Sequence, residues 1–148
     1  MSASQEMDIL AQKLLQPLQI HHPFDLSMDI LCEYYDITIH PLTTHPPIAF
    51  AIPLKRKQMI FISTHFSPFK RNVVLAEEFS HLYLHSVNEL TISPLWTMKL
   101  ERQAKTLAAF LLIPSTFLSP LLTQTSSIND LASTFSVPED FIKFRLSL

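Results

Sequence analysis

Hydrophobic residues recur at helical spacing towards both ends of this chain and at strand spacing between them. Met7, Leu10, Leu14 and Leu15 mark an amphipathic helix over residues 3–16, ended ahead of Pro17. After the loop His21-His22-Pro23, Asp25 or Ser27 caps a second helix reaching about Tyr35, with Leu26, Ile30, Leu31 and Tyr34 on one face. The period then falls to two. Ile37-Thr38-Ile39 alternates as a strand, Ile48-Ala49-Phe50-Ala51-Ile52 reads as a second, and Met59-Ile60-Phe61-Ile62 as a third. Lys55-Arg56-Lys57 reads as the hairpin turn before the last, a solvated one. Three short strands in succession predict a small antiparallel sheet.

Helical signals return at Ser67-Pro68, a capping residue followed by proline in the first turn. That helix is expected to run to about His85. Another spans about Trp96 to Leu112 and stops before Pro114, and short helices follow near 115–122, 127–135 and 138–146. There is no internal repeat or low-complexity tract. The pattern therefore predicts one α+β domain over residues 1–148. Its parts are an N-terminal helix within 1–20, a three-stranded antiparallel sheet, a mainly helical body and a C-terminal helical pair over 128–147.

Composition narrows the function. Of 148 residues, 47% are hydrophobic and only 16% charged, which supports a sizeable core and argues against disorder. No apolar run approaches the length of about 18 residues that a spanning helix needs, so no membrane association is expected. The first residues lack the basic region and apolar core of a secretory signal, so a cytoplasmic protein is expected. Cys32 is the only cysteine, which excludes an internal disulfide and a thiolate zinc site, and it reads as a small buried hydrophobe. A net charge of −2 gives no general attraction to nucleic acid. The chain contains no glycine at all, which excludes glycine-dependent phosphate loops and dinucleotide fingerprints. Asn, Asp, Ser and Pro must supply its turns.

The stretch Leu75-Ala76-Glu77-Glu78-Phe79-Ser80-His81-Leu82-Tyr83-Leu84-His85 carries the chemistry. Residues four apart share a helix face, so Glu77, His81 and His85 form one polar stripe. Two ligands one turn apart can grip a metal ion, as in the His-Glu-x-x-His zinc peptidases. Glu78, beside the first ligand position, can take a proton from an attacking water. A third ligand is available in Glu101, on the following helix. Glu-x-x-x-His spacing equally describes a Glu–His pair on a solvated helix face. His85 can act as a ligand, line a pocket, or favour the helix end through its charge. Tyr83 can donate a hydrogen bond in the pocket or simply pack. Phe66, Phe69, Phe79 and Phe110 read as core, and His21, His22, His40, His45 and His65 show no ligand spacing. The last two helices are similar to half of a helix-turn-helix unit, but Arg102, Lys143 and Arg145 are too sparse for a DNA face, and core cover is the plainer expectation.

Leu75–His85 resembles the Leu-Ala-His-Glu-Leu-Gly-His-x-x-Leu-His signature of the ImmA/IrrE family of metallopeptidase-like proteins. Residues Glu101-Arg102-Gln103-Ala104 through Leu111-Leu112-Ile113-Pro114 are similar to that family's second signature, Glu-x-x-Ala-Asn-x-Phe-Ala-x-x-Leu-Leu-Met-Pro. Ile128-Asn129-Asp130-Leu131-Ala132 to Val137-Pro138 resembles its C-terminal Leu-Ala-x-x-Phe-x-Val-Ser element. Three motifs in order are far more specific than any one, and together they span about residues 20–146. The resemblance implies a zincin-like domain with Glu77, His81 and Glu101 as zinc ligands and Glu78 as general base. It also implies a protein substrate or partner, such as a repressor or other regulator of a mobile element or stress response. This chain departs from the pattern at Glu77 for histidine, Ser80 for glycine, Lys105 for asparagine and Leu107 for phenylalanine. A Glu-Glu-Leu-Gly-His form, often phage-associated, also belongs to the family. A carboxylate in the first position adds negative charge, which lowers the metal's power to acidify water, so that either binding survives while activity falls or metal preference shifts towards a harder ion. The alternative is a catalytically inactive member that binds a regulator through its cleft.

Overall fold

The computed structural model describes residues 1–54, 56–85, 94–124 and 127–148. Lys55, part of the expected hairpin turn, lies outside the described residues. The elements run α1 (Ala3–Leu15), α2 (Met28–Tyr34), β1 (Ile37–Leu42), β2 (Ala49–Leu54), β3 (Lys57–Ser63), α3 (Pro68–Leu84), α4 (Pro94–Leu112), α5 (Ser115–Leu122), α6 (Ile128–Phe135) and α7 (Glu139–Leu146). The α+β class stands. No single described helix is long and apolar enough to cross a membrane.

The sheet corrects the expectation of a purely antiparallel arrangement. Its order is β1-β3-β2, with β1 parallel to β3 and β2 antiparallel to it. Residues 43–48 carry the chain past the central position, which β3 then fills. Packing explains the choice, because β3 buries Ile60 and Ile62 almost completely and is the strand best suited to neighbours on both sides. Both edge strands contain a proline, Pro41 in β1 and Pro53 in β2, where a missing N–H is tolerated. Across the strands, His40, Phe61 and Phe50 form a continuous ring stack with centroids 4.9 and 5.0 Å apart. They occupy matched positions in the ladder, so the register builds the stack.

The helices follow their sequence signals closely. Ser2 and Gln5 close a capping box on α1, which buries Ala11, Leu14 and Leu15. Ser27, not Asp25, caps α2, and its hydroxyl accepts from the Ile30 amide. The Asp25 carboxylate instead accepts from the amides of His21 and His22. The buried face of α2 is Met28, Leu31 and Cys32, while Ile30 and Tyr34 stay exposed. Burial pushes the Cys32 thiol up to about 12, so it is an unreactive core residue. Arg71 joins α3 to α2 by a bidentate pair with Asp29 at 2.8 and 2.9 Å. That guanidinium holds the Asp29 carboxyl below its ordinary range.

α3 and α4 form the centre of the helical body. Leu75, Ala76, Phe79 and Leu82 of α3 meet a nearly continuous buried run from Ala104 to Ile113. Leu131, Phe135, Val137, Phe141 and Ile142 from the C-terminal pair close that core, which is the role core cover predicts. Arg145 joins them rather than facing outward. Its Nε donates to the Ile113 carbonyl at 2.9 Å and its NH2 group to Ser115 Oγ at 2.8 Å, and its guanidinium lies 4.2 Å from the Phe110 ring centre. The Ser115 hydroxyl donates onward to Asp8 of α1 at 2.9 Å. Desolvation draws the Arg145 pKa below its ordinary value, with Asp8 opposing the shift.

A chain without glycine must place side chains in left-handed backbone, and Gln19, Asp36 and Ser136 do so with φ of 52°, 59° and 56°. Ser136 ends α6, and its carbonyl accepts from Asn72 of α3 at 2.8 Å. Left-handed backbone costs a residue with a Cβ about 1–2 kcal/mol, which glycine avoids at a chain-entropy cost of about 0.5–1 kcal/mol. Gln19→Gly is therefore expected to raise stability by about 0.5–1 kcal/mol, read as a higher Tm in thermal unfolding. A lower Tm would show that the Gln19 side chain makes up the difference.

Candidate metal centre

α3 starts where Ser67 takes the extended N-cap conformation and Pro68 opens the first turn. From there the helical period turns Phe79 and Leu82 into the core and leaves Glu77, His81 and His85 along one edge. His81 is buried and Glu77 and Glu78 are half-buried. α4 packs along α3 and brings the carboxylate of Glu101 to His81, with Nε2 to Oε1 at 3.2 Å. An imidazole nitrogen and a carboxylate oxygen at this distance can share a proton or, without it, offer two lone pairs to a cation.

Glu77 lies within the electrostatic reach of the same pair. Burial pushes its carboxyl pKa up, and Glu101 pushes the same way, whereas Lys70, Lys105 and His81 draw it down. Two carboxylates and an imidazole are a donor set suited to zinc or a harder divalent ion. Among the described residues, however, no three His, Cys, Asp or Glu side chains stand together closely enough to hold a metal ion. The structure thus brings His81 and Glu101 together and leaves Glu77 beside them.

The remaining predicted residues separate. His85 sits at the C-cap of α3, its ring centre 5.7 Å from that of His81, and its Nε2 lies 2.8 Å from Gln103 Oε1 on α4. Tyr83 is on another face. Its ring stacks on Phe79 at 6.3 Å, and Phe79 in turn meets Tyr35 edge-on at 5.8 Å. Residues 81 and 83 are about 200° apart around a helix, so Tyr83 points away from the stripe. Two neighbours were not foreseen from the sequence as parts of the site. Gln103 is bonded to His85, and Lys105 biases Glu77 while its ammonium lies 4.3 Å from the Phe144 ring centre.

Comparison with known proteins bears on this arrangement. The protein named YqaB of Bacillus subtilis (strain 168), itself described as uncharacterized, is 26% identical over 140 residues, covering 93% of this chain and 80% of that protein. A solved structure described as a Mycobacterium tuberculosis transcriptional regulator superposes over 97% of this chain with a TM-score of 0.74 at 15% identity. This chain spans 46% of that protein's length, so the likeness concerns the shared fold. The model of the IrrE N-terminal-like domain, Peptidase_M78, matches residues 32–147, from the second helix through the C-terminal pair. The chain is therefore a metallopeptidase-like member of the ImmA/IrrE family.

Proposed function

We propose that this protein is a zinc-dependent peptidase that cleaves a regulatory protein in the cytoplasm, a repressor of a mobile element or of a stress response. The observation that carries the proposal is the 3.2 Å approach of Glu101 to His81, which joins two signature motifs from separate helices at one point. In this reading Glu77, His81 and Glu101 hold the metal. When bound, the metal polarises the scissile carbonyl and acidifies water. Glu78 takes the proton of the attacking water and passes it to the departing amine nitrogen.

The carboxylate at Glu77, where the family signature has histidine, favours one second reading, a non-catalytic module that binds the regulator through the same cleft. Metal analysis of protein purified without chelator separates the two. Stoichiometric zinc is expected in the wild type, with loss in His81→Ala and an unchanged circular-dichroism spectrum. A folded wild type that stays metal-free in excess zinc would leave only the binding module.

A further inference from the structure

We infer that Gln103 and His85 are a positioning pair, which links α4 to α3 beside the metal centre and so steadies Glu101 against His81. The inference rests on the metal-centre reading above.

Two polar links join the helices. One is His81–Glu101 at 3.2 Å and the other His85–Gln103 at 2.8 Å. On α3 the two histidines are one turn apart on the same face. On α4 their partners are two residues apart, hence about 200° apart around the axis. Glu101 and Gln103 therefore leave α4 on opposite flanks, with Leu100 and Ala104 buried between them. The core residues Leu107, Ala108 and Leu111 hold the axis of α4 against α3. The two links add a restraint on either flank at the level of Glu101, where the ridge residue Ala104 is small and gives the side chains room to shift.

The upstream part of α4 is less enclosed than the buried run that follows it. Leu95 and Met98 of α4 are 79% and 70% exposed, and the Glu101 side chain is itself 51% exposed. The second link is also directional. A carboxamide oxygen only accepts, so His85 donates Nε2–H to Gln103 Oε1. His85 Nδ1 is buried without a hydrogen-bond partner among the described residues, so within them the Gln103 bond is the hydrogen bond that orients the ring. Residues that orient a metal ligand without touching the metal typically change affinity by about 10–100-fold.

Cobalt(II) titration of the full chain, with imidazole NMR of the metal-free protein, tests the pair. The wild type is expected to show a slowly exchanging His85 Nε2–H signal, lost in Gln103→Met, a variant that keeps side-chain volume. Gln103→Met and His85→Ala are each expected to weaken cobalt binding about tenfold or more. The double variant is expected to add nothing further, because the link is already broken. His85→Gln, whose amide can donate to Gln103, is expected to restore most of the affinity. Thermal unfolding of each variant confirms that it is folded. Single variants within twofold of the wild type, or effects that add, would overturn the positioning role. A wild type that shows the protected Nε2–H signal but takes up no cobalt would instead defeat the metal-centre reading, and the positioning role with it.

Discussion

Arg145→Ala is expected to destabilise the protein by about 3 kcal/mol or more, the largest effect of any single substitution outside the fully apolar core. The estimate combines two losses. Truncation leaves a cavity beside Phe110, and the Ile113 carbonyl loses its charged donor. Ser115 loses the same partner, although its bond to Asp8 remains. Arg145→Met keeps most of the volume and removes the buried charge together with its desolvation cost, so about 1–2 kcal/mol is expected. Urea unfolding followed by circular dichroism measures both. If Ala and Met cost the same, hydrogen bonding rather than volume dominates. If neither costs more than about 0.5 kcal/mol, the network is not a determinant of stability.

Glu78→Gln is expected to lower peptide cleavage by about 10²–10⁴-fold while leaving zinc content unchanged. The substitution keeps the side chain's size and removes only its capacity to take a proton. A metal ligand behaves differently, since His81→Ala is expected to lose metal and cleavage together. The assay uses a candidate repressor protein as substrate and mass spectrometry of the products. Equal cleavage by wild type and Glu78→Gln would remove Glu78 as the base and send the search for a proton acceptor to Glu77. The distinction matters because Glu77 and Glu78 are adjacent, and only their positions around the helix assign one to the metal and the other to the proton.

Much of the architecture was legible along the chain because local signals and the final packing agree. Ser67-Pro68 starts α3, Pro114 follows α4, and the 3.6-residue period of 75–85 separates Phe79 and Leu82 from the polar edge. The sheet topology was not legible, because succession in the chain suggests neighbours in space. Here burial of Ile60 and Ile62 decided which strand took the centre, a competition among strands that no one strand displays. Arg145 offers the opposite lesson. It falls four residues after Phe141 and three after Ile142, so the helical period already placed it on the buried face, and its charge alone suggested solvent. The pairing of His85 with Gln103 joins residues on two helices whose relative roll is a tertiary property. Neither helix by itself contains it. His81 and Glu101 are likewise on separate helices, and only the conjunction of two signatures linked them before the fold was known.

The prolines at both margins of the sheet have a consequence for the protein in a crowded cell. A three-stranded sheet bearing a ladder of rings offers an attractive template for the strands of other molecules, the first step of fibrillar assembly. Pro41 and Pro53 interrupt the row of donors on either side, so an incoming strand finds no unbroken ladder to extend. The protein can therefore carry Phe50 and Ile48 in the open at high concentration without its copies zipping together edge to edge.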